Sequence, residues 1–179
     1  MPEGRLPLRI FEPRYTTMVR DCIKHQTGFG VCLIADGSEV GPPALAYPFG
    51  TLVEIIDWDM DDSGLLIIVA KGVRRFRTAD VSSGANGLLL GDVELLPVES
   101  KTPIPSEYTE LADMLERALD SVDETLSYSA ADYTDACWVS GRLLELLPMA
   151  TEAKHKIVAM DDPVGRLNAL QEYLDQQEW

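Results

Sequence analysis

The sequence predicts an α+β fold: a mainly antiparallel sheet interrupted by one helix and followed by a helical half. Three observations carry this expectation. Residues 29–96 contain five apolar runs separated by short breaks rich in Gly, Pro, Ser and Asn. Within the same half, Tyr15, Met18, Val19, Cys22 and Ile23 recur at helical spacing. After Pro97 the grammar changes, and every later apolar pattern has the helical period.

The elements follow in order. Leu6 to Ile10 is an extended apolar approach to a helix that starts at Pro13 and runs to about Gln26. Proline suits the first helical position because its missing N–H would have no partner there, whereas Glu12 is a weak cap. Gly28 stands just beyond the helix end. Strands are predicted at Phe29–Ala35, Gly50–Asp57, Gly64–Ala70, Val73–Thr78 and Leu88–Leu96. Asp36-Gly37, Gly41-Pro42-Pro43, Ser63-Gly64, Lys71-Gly72 and Ser82 to Gly87 read as the connections between them.

Val98 to Pro105 is a polar, proline-containing connector, which sets two regions, 1–100 and 101–179. Beyond it, Leu111, Met114, Leu115, Ala118, Leu119 and Val122 form one stripe. Ala136, Val139, Leu143, Leu144 and Leu147 form a second, capped by Asp132 and ended by Pro148. A short helix after Thr151 carries Ile157 and Val158. Asp162-Pro163 opens the last one, with Val164, Leu167, Leu170 and Leu174.

Composition narrows function. With 46% hydrophobic and 25% charged residues the chain has a globular profile and no need of a partner to fold. Its 15 Lys and Arg against 30 Asp and Glu leave a net charge of −15, which repels polyanions. The basic cluster Lys71, Arg74, Arg75 and Arg77 is divided by strand geometry, since Arg75 and Arg77 share one face and Arg74 takes the other. Nucleic acid is therefore not an expected partner. Cys22, Cys32 and Cys137 are widely spaced and form no CxxC pair, as thiols of a reducing, cytoplasmic compartment would be. No run approaches the ~20 apolar residues of a membrane span, and the N-terminus lacks an apolar signal region.

Catalytic and metal chemistry finds no seat in the pattern. The acidic run Asp57 to Gly64 has the alternating oxygens of a calcium loop from Asp59, but Ala70 stands where a bidentate Glu is required, so the run reads as a hairpin turn. Cys22 and His25 lie one helical turn apart without two further ligands, which makes them a core thiol and a surface imidazole. Neither a GxSxG elbow nor a GxxxxGK[ST] loop occurs. No cofactor, metal or catalytic residue is expected. Among the tryptophans, Trp138 belongs to a helical core, while Trp58 and Trp179 are candidates for exposed anchors.

One run is distinctive. Leu6-Pro-Leu-Arg-Ile-Phe-Glu-Pro-Arg-Tyr15 resembles the N-terminal substrate-binding domain of Lon, the ATP-dependent protease La family, and especially its small free-standing bacterial relatives. Further matches follow in order: Phe29-Gly-Val31, Glu39-Val-Gly41, Gly50-Thr51, Gly72 to Phe76, Leu146-Leu-Pro148 with Lys156, and Asp162 with Arg166-Leu167. The resemblance implies a PUA-like antiparallel β pseudo-barrel with one inserted helix, followed by a C-terminal α-helical bundle. It also implies a module that captures unfolded or partner polypeptides, without the ATPase and Ser-Lys protease modules of full-length Lon. Relatives of this kind carry a Pro-Leu-Phe-Pro-Leu-type strand ahead of the segment matching Pro2-Glu3-Gly4. The resemblance thus implies a start further upstream, with a sheet neighbour left unpaired here.

For a polypeptide-binding module the candidate contact residues are Arg9, Phe11, Glu12, Arg14, Tyr15 and Trp58. A second reading has Arg9 and Arg14 pairing with acidic neighbours to tie the first helix to the sheet. Gly50, Gly72 and Phe76 are read as fold determinants, the glycines for tight backbone geometry and Phe76 for packing. Two alternatives stay open: a PUA-like nucleic-acid-binding module, and an auxiliary subunit or adaptor of an ATP-dependent protease.

Overall fold

The computed structural model describes residues 1–121, 128 and 130–177. Val122 and Trp179, both named above, lie outside the described residues. Among the described residues there are five strands, all paired antiparallel, and five α-helices. The chain divides into two compact units, Met1–Pro97 and Val98–Trp179.

In the first unit β1 (Arg5–Ile10) leads into α1 (Pro13–His25), followed by β2 (Phe29–Asp36), β3 (Leu45–Met60), β4 (Leu66–Ser83) and β5 (Leu89–Leu95). The sheet order is β1-β4-β3-β2, with β5 also on β4. The long β4 makes this possible. On one edge it pairs with β1 through residues 66–71 and with β5 through residues 76–83, while β3 runs along its other edge. The stripe of α1 covers the β1 end of the sheet, where Ile10, Val19 and Ile68 are buried and Leu8, Tyr15, Met18, Ile23, Phe29, Ile55 and Leu66 pack around them. Each such side chain fully buried contributes about 1.5–3 kcal/mol.

Pro13 opens α1 without any side-chain cap from Glu12. The helix ends on Gln26 rather than on a glycine. Gln26 takes the left-handed conformation (φ 54°) and its N–H bonds back to the Cys22 carbonyl, closing the last turn as a C-cap does.

Lys71-Gly72 is not a connection, and the strands predicted at Gly64–Ala70 and Val73–Thr78 are one. Val53 pairs with Gly72 and Leu52 with Arg74, so the register slips by one residue and β4 continues through a bulge. Gly72 serves a different need. Its N–H donates to the Gly4 carbonyl (2.9 Å) and its own carbonyl accepts from the Glu3 N–H (2.8 Å). A Cβ there would run into the Met1 carbonyl, so the glycine allows the N-terminal turn to lie against the strand.

The second unit carries α2 (Thr109–Asp120), α3 (Ala136–Leu146), α4 (Thr151–Val158) and α5 (Pro163–Asp175), with a 3-10 turn at Ser106–Tyr108. Helix α3 is its centre, packing on both α2 and α5 and burying Trp138, Val139, Leu143 and Leu144. Its cap is Asp135, whose carboxylate accepts from the Cys137 N–H (3.1 Å), and not Asp132. Asp132 lies one turn earlier, where it accepts from Thr134 and pairs with Lys101. Asp162 caps α5 by accepting from Val164, ahead of Pro163.

Two fully buried arginines hold this unit together. Arg166 makes a bidentate pair with Glu99 (2.5 and 2.9 Å) and donates to Ser140 Oγ and the Met160 carbonyl. Arg142 forks onto Glu145 (both 2.8 Å) and lies against the Trp138 and Tyr128 rings. Buried guanidinium groups are tolerable only when paired in this way.

Candidate partner-binding surface

The segment from Arg9 to Tyr15 forms the corner between β1 and α1. Strand alternation sends Leu8 and Ile10 toward α1 and Arg9 to the opposite face of the sheet. Arg9 is exposed and pairs with Asp61 (3.0 Å) at the tip of the β3–β4 hairpin. Asp61 also accepts from the Ser63 hydroxyl and from the Ser63 and Leu65 N–H groups. The Ser63 and Leu65 hydrogen bonds, followed by Arg9, hold its carboxyl at about 2.

Phe11 sits at the corner itself and is 60% exposed. Glu12 is half-buried beside it, with one carboxylate oxygen within 3.4 Å of the Gly41 N–H. Arg14 is only 6% exposed. Its guanidinium donates to the carbonyls of Glu39 (2.9 Å) and Gly87 (3.1 Å) and stacks over the Tyr15 ring, which ties α1 to two loops of the sheet. Tyr15 itself packs against the buried cluster.

Trp58 belongs to a different part of the unit. It pairs with Ile68 in β4 and so lies on the face of Leu8 and Ile10, opposite to Arg9, and is 55% exposed. The six residues are therefore not one contiguous patch. Phe11 and Trp58 offer apolar surface, Arg9 offers a charge already paired, and Arg14 is spent on the fold.

The sequence pattern does not single out the residues beside Trp58. Ile56 and Met60 are exposed on the same strand, interleaved with Asp57 and Asp59. The sequence carries the signal as an alternation of apolar and acidic residues, but β3 runs to Met60, three residues past its predicted end at Asp57 and into what reads as a turn. In the second unit, Leu111, Met114, Leu147 and Leu174 line an open depression of about 700 Å³, rimmed by Glu110, Asp113, Arg117 and Gln171.

Nothing in these surroundings activates a nucleophile. Burial pushes the Cys32 thiol up to about 11, and burial with the nearby Asp135 and Glu99 does the same to Cys137. No cluster of metal-ligating side chains is found among the described residues. Nor is any described helix long and apolar enough to cross a membrane.

The basic cluster is engaged internally. Lys71 pairs with Glu3, Arg74 donates to the Leu96 carbonyl, Arg75 is buried, and Arg77 stacks on Phe49.

Comparison with known proteins gives this architecture its relatives. Residues 1–176 match the family model of the ATP-dependent protease La (LON) substrate-binding domain. The crystal structure of a Lon N-terminal domain protein from Xanthomonas campestris is 35% identical and superposes with a TM-score of 0.78, covering 97% of this chain and 91% of that one. The N-terminal domain of the Mycobacterium avium complex Lon protease shares the fold at 17% identity, with a TM-score of 0.66 over 99% of this chain and 92% of that one. By the family match over nearly its whole length, together with the five-stranded sheet and five helices described above, the chain belongs to the Lon substrate-binding domain family.

Proposed function

We propose that this protein is a non-catalytic recognition module of the cytoplasm that binds unfolded or partner polypeptides. Family membership over residues 1–176 carries the reading. The first unit adds what such binding needs physically: exposed apolar side chains at Phe11, Ile56, Trp58 and Met60, set in an acidic surface that keeps the protein soluble. In this reading the first unit is a PUA-like pseudo-barrel and the second a helical bundle. A nucleic-acid partner is disfavoured, because the basic side chains of β4 are engaged within the protein rather than offered as a patch.

The test is direct. The purified protein should retard the aggregation of a chemically unfolded client and crosslink to it. Absence of both at high micromolar protein would contradict the proposal.

A further inference from the structure

Strand β3 outruns its neighbour. Its pairing with β2 ends at Val53 opposite Phe29, while its pairing with β4 continues to Met60 opposite Leu66. Among the described residues no strand flanks Glu54 to Met60 on that side, so the sheet has an open edge there. An open edge presents unpaired main-chain groups and is a template for another strand.

This edge is blunted in a particular way. The Trp58 N–H donates to the Asp57 carboxylate (2.9 Å) and the Met60 N–H to the Asp59 carboxylate (2.7 Å). Two N–H groups two residues apart point the same way along a strand, and here they point away from β4. The two aspartates thus occupy the donors that an added strand would use. Trp58 and Met60 lie on one face, 55% exposed each, and Asp57 and Asp59 lie on the other. Among the described residues Glu54, Asp57 and Asp59 form no ion pair.

We infer that the Glu54–Met60 edge of β3 is a strand-addition site for an extended polypeptide segment in which basic and apolar residues alternate. The inference rests on the polypeptide-binding reading and specifies where and what it binds. A segment with Lys or Arg on one face and aliphatic or aromatic residues on the other matches both faces of the edge at once. Its cations draw the Asp57 and Asp59 carboxylates off their own backbone, which frees the Trp58 and Met60 N–H groups for the incoming carbonyls. Without such cations the carboxylates stay in place and the edge stays closed. A second copy of this chain is a poor occupant, since it would set acid against acid.

The probe is a fluorescein-labelled peptide of sequence Arg-Val-Arg-Phe-Arg-Val-Arg, with a Glu-for-Arg version as control, titrated by polarisation. The wild-type protein should bind the first and not the second, and hydrogen exchange of the Trp58 and Met60 amides should slow on binding. The double variant Asp57→Asn/Asp59→Asn keeps an acceptor for each N–H but removes the charge, and should weaken binding about five- to tenfold. Met60→Pro removes one outward N–H without touching the β4 ladder, so it should weaken binding while Met60→Ala, the packing control, weakens it less. Thermal melting checks that each variant is folded. If wild type binds both an unfolded client and the peptide, but the edge variants bind the peptide equally well, the edge assignment is overturned and the general reading stands. Binding of the client without the peptide overturns the assignment too. If wild type binds neither, both readings fall. Self-association that Met60→Pro abolishes would assign the edge to a second copy and overturn the proposal.

Discussion

The Phe76 ring lies over two glycines of neighbouring strands, and that contact explains why neither position carries a side chain. A Cβ on Gly50 would stand 2.5 Å from the ring and 2.6 Å from Cys32 Sγ; one on Gly30 would stand 2.8 Å from the ring. Gly50→Ala should therefore cost about 1–3 kcal/mol in chemical denaturation through overpacking. Arg166 makes a second demand. Replacing it by Met removes its bidentate bonds to Glu99 and its bond to Ser140 from a buried site and should cost about 3–5 kcal/mol, more than a surface ion pair would. The sequence admits Arg14 as a tie between the first helix and the sheet, though its partners are carbonyls rather than acidic side chains, whereas it hides the roles of Arg142 and Arg166. A charged residue reads as surface until the fold buries it: Glu99 lies 67 residues from Arg166, and even Glu145, one helical turn from Arg142, does not reveal the burial.

Titration adds two residue-scale expectations. Asp61 and Asp132 are both held at about 2 in the folded protein, below the ordinary 3.8. A depressed folded-state value favours the native state above the unfolded value, and that advantage fades as pH falls from about 4 toward 2. Stability measured across that window should drop less steeply in an Asp61→Asn/Asp132→Asn variant than in wild type. The thiols give the opposite sense. With Cys32 and Cys137 raised to about 11 and Cys22 buried, alkylation at neutral pH should be slow in the native state and fast once the chain is unfolded.

Among elements, α1 was legible because Pro13 and the apolar stripe act locally. Its end near Gln26 was legible as well, but not that Gln26 itself, rather than a glycine, takes the left-handed position. A left-handed non-glycine residue carries a conformational cost, so Gln26→Gly should stabilise the protein by about 1 kcal/mol in thermal or denaturant unfolding. Strand β4 reads as two strands in the sequence because Lys71-Gly72 has turn composition. The demand on Gly72 comes from Met1 to Gly4, a contact that no local pattern reveals. Asp132 and Asp135 are three positions apart, and both are good capping types. Only the geometry of the Pro103–Asp135 bridge and the Thr102 N–H, which also donates to Asp135, selects the second.

At the scale of the molecule, the alternation of β-rich and helical halves was readable because hydrophobic period is set by element type alone. What composition could not supply was a surface. Among the described residues β3 overruns β2 where Asp57 and Asp59 stand beside Trp58 and Met60, and it is there that the proposed account gives the acidic excess its specificity. The same charge predicts that basic clients are held more tightly at low salt, because at 0.1 M the field of exposed carboxylates is screened beyond roughly 10 Å.

The most direct measurement of polypeptide recognition compares two forms of one basic client, a protein kept permanently unfolded by reduction and carboxamidomethylation and the same protein in its native state. Titrated by fluorescence polarisation, the unfolded form should bind this protein saturably and the native form should not. Equal binding of both forms, or binding of neither, would contradict the account.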